Sequence, residues 1–191
     1  TLLVSSAASD VYKRQIREAA EPHLDRGKEI IFELNLKSKE DISQPLIQRR
    51  PEIIHGLRNM IQNAIDFANN KVWIVLSWSE TDIKITINDD GPGFPLQMIS
   101  RIGDPFVSYR KASSPRLKQI DYQGMGLGLF IAKTLLERTN AKLSFSNGGA
   151  KEIENSKNVT QIGAIVEIVW LRSDIEAQNN FLGENENLQV F

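Results

Sequence analysis

The stretch Ile83-Lys84-Ile85-Thr86-Ile87-Asn88-Asp89-Asp90-Gly91-Pro92-Gly93-Phe94 decides the fold, because a strand runs in it straight into a glycine turn. Ile83, Ile85 and Ile87 alternate with polar residues at the period of a half-buried strand that ends on Asp89. Val72, Ile74, Leu76 and Trp78 alternate in the same way just upstream, and Ser79-Glu80-Thr81-Asp82 turns the chain between the two runs, so a hairpin is predicted. Before it, Ile53, Ile54, Leu57, Met60, Ile61, Ala64, Ile65 and Ala68 repeat at helical spacing. That helix is predicted from about Pro51, a residue suited to a first helical turn, to Ala68, stopping at Asn69-Asn70.

Outward from this centre, Ile30, Phe32, Leu34 and Leu36 alternate as a strand, and the polar Asp41–Arg50 reads as a connector. Leu127, Ile131, Ala132, Leu135 and Leu136 mark a second helix. Leu143 and Phe145 begin another strand, and Ala164–Trp170 is a buried one. Between Asn147 and Asn158 a polar excursion is expected, and beyond about Arg172 a disordered tail rich in Asn, Glu and Gln. Pro95–Gln123 is long for a loop in a compact domain, and such loops are commonly functional.

Three features carry chemistry. Asn59 and Asn63 lie four apart, on one face of the predicted helix. Helix interiors disfavour Asn, so the pair is either an exposed polar pair or a source of amide oxygen for Mg²⁺. Asp89, directly before Gly91 and Gly93, can accept a hydrogen bond from the exocyclic amine of adenine and would discriminate against guanine, although an Asp-Gly turn is also common on its own. Gly124-Met125-Gly126-Leu127-Gly128 opens a helix, where bare backbone N–H groups form an anion site. It fits neither the Rossmann nor the Walker pattern. Arg110, Lys111, Arg116 and Lys118 precede it and are able to reach a triphosphate, or are ordinary solvated charges.

The ordered set Asn59…Asn63-Ala64, Asp89-x-Gly91-x-Gly93, Asp104-Pro105-Phe106 and Gly124-x-Gly126-Leu127-Gly128 resembles the N, G1, F and G2 boxes of sensor histidine kinases. The resemblance covers about residues 27–172. The wording Arg49–Asn59 with Gln62–Ala68 is similar to the RegB/PrrB/ActS redox-responsive kinases. It implies the Bergerat, or GHKL, fold: a two-layer α/β sandwich whose mixed sheet of about five strands carries helices on one face. It implies ATP and Mg²⁺ as ligands. Asn63 would hold the metal, with Asn59 beside it or beside the phosphates. Asp89 would bind adenine in a pocket shaped by Gly91 and Gly93. Phe106 would anchor a lid over Pro95–Gln123, and Gly124, Gly126 and Gly128 would pack on the phosphates. Asp66, Phe67, Gln123, Met125 and Leu127 complete the expected lining. Asp66 stands where the family often has Lys, so a phosphate contact is expected from Arg110 or Lys111 instead, and Phe67 lacks the hydroxyl of the usual aromatic.

The resemblance further implies a protein-histidine kinase part that donates the γ-phosphoryl group to a His on a separate dimerisation domain and, through it, serves a response regulator. Asn59 replaces the Glu that related hydrolases use to activate water, and an amide is no general base. The alternatives are a GHKL-type ATPase and a non-catalytic ATP-binding regulator. Neither His55, read as structural, nor His23, read as a surface residue, has a phosphoacceptor context.

The bulk composition fits this. The 191 residues hold 23 Lys and Arg against 24 Asp and Glu, a net charge of -1, which recruits neither nucleic acid nor an anionic membrane. Without Cys there is no disulfide or thiolate metal site in these residues. Residues 1–15 read as an adaptor-like leader and 16–27 as the end of a linker or dimerisation helix; 28–172 are the expected ATP-binding domain, and 173–191 the tail. A cytoplasmic location is expected, with any membrane contact made through a part N-terminal to this chain.

Overall fold

A computed structural model of the chain describes residues 16–24, 26–34, 42, 45–105, 127–152, 159–161 and 163–177. A helical stretch, α1, over residues 16–20 tightens into a 3-10 turn at Glu21–His23. Then come β1 (Glu29–Leu34), α2 (Pro51–Phe67), β2 (Lys71–Trp78) and β3 (Asp82–Asp89). A 3-10 helix, Leu96–Arg101, precedes α3 (Gly128–Glu137), β4 (Lys142–Asn147), the short strands β5 (Ala150–Glu152) and β6 (Val159–Gln161), β7 (Ala164–Leu171) and a helical turn, α4 (Arg172–Ile175).

The main sheet has five strands in the order β1-β2-β3-β7-β4. β1 pairs parallel with β2 and the other neighbours pair antiparallel, so the sheet is mixed. A parallel neighbour needs a crossover, and α2 supplies it. The alternation seen in the sequence sets the faces. Val72, Ile74 and Leu76 of β2, Ile83, Ile85 and Ile87 of β3, and Val166, Ile168 and Trp170 of β7 all turn into one core. From the other side α2 adds Ile53, Leu57, Met60, Ile61, Ala64 and Ile65, and α3 adds Ala132 and Leu136. Each such Ile or Leu contributes about 1.5–3 kcal/mol by leaving water. This is the expected two-layer sandwich.

Two internal constraints fix how the helices seat. Gly56 lies where α2 meets α3, and a Cβ there would stand 2.5 Å from Leu136 Cγ. At the far end of α3, the buried Thr139 hydroxyl donates to the Leu136 carbonyl at 2.6 Å and accepts from the Trp170 indole N–H at 2.9 Å. A buried indole N–H needs such a partner, and this one ties the helical layer to β7.

The structure departs from the sequence expectations in three places. The polar excursion after Asn147 contains a two-stranded ribbon, β5 with β6, too short to announce itself by alternation. The chain just past Arg172 is docked on the domain: Ile175 is fully buried, and Ile47 bridges Glu176, with Gln48 N–H donating to the Ile175 carbonyl at 2.7 Å. One apolar residue in a polar run is enough to dock the turn, and Arg172 holds Glu176 in a salt bridge at 2.6 Å. The third concerns the histidines. His55 is exposed on α2, whereas His23 is buried at 6% exposure with neither ring nitrogen hydrogen-bonded. Ala19 and Ala20, both fully buried, let this segment lie close on the core, and the turn after them carries the ring inward. Burial lowers the His23 pKa, the Arg26 and Arg58 charges lower it further, and Asp66 opposes them.

Candidate nucleotide site

β3 reads buried at Ile83, Ile85 and Ile87, and the next inward position is Asp89. The same period that builds the core therefore delivers a carboxylate into it, at 2% exposure, where the sheet meets the helical layer. Oδ1 of Asp89 accepts from Gly91 N–H at 2.8 Å and from Ala164 N–H at 3.2 Å, while its carbonyl accepts from Gly163 N–H at 2.7 Å. Burial pushes the Asp89 carboxyl above its ordinary range. The Gly91 and Ala164 N–H groups pull it back, and the neighbouring Asp90 charge adds a little to the rise. One oxygen is thus committed to the backbone, and among the described residues no hydrogen bond engages the other.

Asp90 has the opposite task. Its Oδ1 accepts from the N–H groups of Asn69, Asn70 and Lys71 at 2.8, 2.9 and 3.0 Å. That carboxylate captures backbone donors just past the end of α2 and pins the helix end to the β3 turn. The consequence is close approach. A Cβ on Gly91 would lie 2.2 Å from the Phe67 carbonyl oxygen, so Gly91 is needed for space rather than for an unusual dihedral. Gly93, at φ 78°, is needed for the dihedral as well.

Phe67, 44% exposed, stands at the α2 terminus beside this turn. One α-helical turn back, the Asn63 amide donates to the Asn59 carbonyl at 2.7 Å, which fixes its orientation and leaves its oxygen as acceptor. The N-terminus of α3 comes to the same place: a Cβ on Gly128 would be 3.6 Å from Asn63 Nδ2. Half-buried Asn63 therefore meets the start of α3, where backbone N–H groups favour an anion. Asn59 and Leu127 are half-buried as well, Asn59 on α2 and Leu127 at the α3 N-cap. Among the described residues no three His, Cys, Asp or Glu gather as a metal cluster. The Asn63 amide oxygen is a neutral hard donor, a type that could hold Mg²⁺.

Asp66 is exposed on the same helix, and its Oδ1 accepts from Arg26 at 3.0 Å and from Gln62 at 2.7 Å. Phe106, Arg110, Lys111, Gln123, Gly124, Met125 and Gly126 lie outside the described residues. Of the expected lid, residues 95–105 are described. They form the Leu96–Arg101 helix, bury Ile102, and turn at Gly103 (φ 84°) against Lys133 of α3.

The sequence reading missed Gly163, Ala164 and Asn147. A Cβ on Gly163 would meet the Gly91 carbonyl oxygen at 2.2 Å and Asp89 Oδ1 at 2.6 Å, so β7 can reach Asp89 only through a glycine. The available signal was a glycine placed directly before a buried strand. Asn147 ends β4 and bonds the Phe94 backbone.

A profile of the family described as histidine kinase-, DNA gyrase B- and HSP90-like ATPase matches residues 48–174. Sensor histidine kinase RegB of Cereibacter sphaeroides is 50% identical over 176 residues, 92% of this chain and 38% of that protein. Sensor histidine kinase CssS of Bacillus subtilis is 31% identical over 63% of this chain and 23% of its own length. The chain thus spans well under half the length of these relatives. Among solved structures, the catalytic domain of histidine kinase ThkA superposes with a TM-score of 0.59 at 21% identity, covering 85% of this chain and 95% of that one. Full-length ShkA in complex with AMPPNP superposes with a TM-score of 0.60 at 18% identity, over 92% of this chain and 32% of that one.

Proposed function

The chain belongs to the family of histidine kinase-, DNA gyrase B- and HSP90-like ATPases, and on that premise we propose that it is the ATP–Mg²⁺-binding catalytic part of a two-component sensor histidine kinase. Its role is to hold ATP and present the γ-phosphoryl group to a His on a separate dimerisation domain, from which a response regulator draws it. The observation that carries this reading is Asp89: a buried carboxylate with one oxygen fixed by two backbone N–H groups and the other left as acceptor, beside a turn that only glycine can make.

In this reading the second Asp89 oxygen accepts from the adenine amine. Gly91, Gly93 and Phe67 border the base, and the α3 N-terminus at Gly128 with Leu127 faces the phosphates. Asn63, with Asn59 beside it, supplies amide oxygen to Mg²⁺, which neutralises phosphate charge when bound. Phe106, Arg110, Lys111, Gln123, Gly124, Met125 and Gly126 complete the phosphate side and its lid. Asn59 cannot take a proton from water, which favours transfer over hydrolysis. The 50% identity to RegB supports placement near the redox-responsive kinases. In the whole protein, this part would sit on the cytoplasmic side of an inner-membrane sensor. Among the described residues no helix is long and apolar enough to cross a membrane.

Calorimetric titration with ATP–Mg²⁺ and GTP–Mg²⁺ tests the reading. ATP binding with marked discrimination against GTP is expected. Equal affinity for the two would remove Asp89 from the base site.

A further inference from the structure

Asn147 is the last residue of β4, the edge strand, and lies opposite Ala164 in the β4–β7 ladder. Its side chain does what a strand backbone would do next. Oδ1 accepts from the Phe94 N–H at 2.6 Å and Nδ2 donates to the Phe94 carbonyl at 2.7 Å. The carboxamide thus closes a two-point bridge across a gap the sheet itself does not span. Gly93 makes room for it: a Cβ there would come within 2.8 Å of Asn147 Oδ1. The same strand also holds the Phe94 ring, which meets Phe145 edge-on with centroids 6.0 Å apart.

We infer that Asn147 is a positioning residue for the nucleotide, clamping the far end of the Gly91–Phe94 turn so that the wall beside Asp89 keeps one shape; this rests on the nucleotide-binding reading above. The near end of that turn is held by Asp89 itself, through the Gly91 N–H. Among the described residues, the far end has no comparable tether except Asn147 and the Phe94–Phe145 contact. The two ends join through β7, because Gly163 N–H donates to the Asp89 carbonyl at 2.7 Å and Gly148 N–H donates to the Gly163 carbonyl at 2.9 Å. Asp89, Gly163 and Asn147 therefore form one frame around the turn. Phe94 also begins the segment that continues into the Leu96–Arg101 helix, so the clamp sets where that segment leaves the sheet. Asn suits the position because it both donates and accepts at the reach required. Asp keeps the acceptor but turns an oxygen toward the Phe94 carbonyl.

The test uses the full 191-residue chain, as wild type, Asn147→Ala and Asn147→Asp. ADP–Mg²⁺ and GDP–Mg²⁺ affinities are measured by calorimetry, with amide hydrogen exchange followed at Phe94 and in the core strands. Both variants are expected to raise the ADP Kd about tenfold, the scale of one or two net hydrogen bonds, with Asn147→Asp at least as affected as Asn147→Ala. The preference for ADP over GDP narrows, and Phe94 exchange accelerates while β3 and β7 amides stay protected. Wild-type ADP affinity in Asn147→Ala overturns the inference, as does an affinity loss matched by lost protection across β3 and β7. A wild-type chain that binds no adenine nucleotide overturns the nucleotide reading instead, so the two failures are distinct.

Discussion

Replacing Asp89 by Asn separates the binding role of the carboxylate from its cost to the fold. The two N–H groups that reach Oδ1, from Gly91 at 2.8 Å and Ala164 at 3.2 Å, are served equally well by an amide oxygen in the same place. Only the other terminal atom changes, from acceptor to donor, and it then faces the adenine amine donor to donor. The loss is that of a charge-assisted hydrogen bond, roughly 1–3 kcal/mol, or about 5- to 150-fold in the Kd for ATP. Stability moves the other way. Burial raises the Asp89 pKa in the folded chain, so the fold favours the protonated acid. The stabilisation it offers is present below the unfolded value of about 3.9 and is lost as pH rises through the folded value. At pH 7 the ionised carboxylate is therefore a burden that Asn removes, and Asp89→Asn melts no lower than wild type. By the same pKa, wild-type ATP affinity declines on acidification from above the usual carboxylate range. Calorimetry with ATP–Mg²⁺ and a thermal melt at pH 7 form the assay. Wild-type ATP affinity in Asp89→Asn would refute the reasoning, and so would a melting temperature clearly below wild type.

Gly91→Ala and Gly163→Ala each drive a Cβ to 2.2 Å from a backbone oxygen, so both should lose nucleotide binding and lower the melting temperature; Gly149→Ala, with nothing within 4 Å of its Cβ, should keep binding, which calorimetry checks. Asn63→Ala should abolish the gain in ATP affinity that Mg²⁺ confers while retaining most of the binding measured in EDTA; a preserved Mg²⁺ gain would move the metal role to another residue. His23 has a lowered pKa in the folded state, so its contribution is complete above the ordinary His value of about 6.5 and is lost as pH falls below it. The drop in melting temperature between pH 7 and pH 5 should therefore be smaller in His23→Leu than in wild type.

Much of this fold was legible because its strands and helices obey single periods. Ile83, Ile85 and Ile87 declared both a strand and its inward face, and that face carried Asp89 with it. The spacing from Ile53 to Ile65 declared α2 within a residue of its observed end. What escaped was long-range. Nothing local to Gly163 shows that β7 begins against Asp89, or that Asn147 would reach Phe94, 53 residues away. His23 was misjudged because its burial comes from the surrounding fold, with the Arg58 and Asp66 charges of α2 acting on it, and not from its own segment's pattern. Nor does anything local to Asp66 announce Arg26, 40 residues upstream, as its partner.

A chain that holds ATP for transfer to another domain should pass its γ-phosphoryl group on rather than release it as phosphate. The direct measurement incubates γ-labelled ATP–Mg²⁺ with the chain alone, and again with a two-helix dimerisation domain carrying an acceptor His. Alone, the chain should release phosphate only slowly and carry no stable label, because Asn59 is no base. With the acceptor domain, acid-labile and base-stable label should accumulate on that domain, and Asp89→Asn should suppress it at limiting ATP. Rapid phosphate release by the chain alone, with no label transferred to the acceptor, would contradict the account and point to a hydrolase.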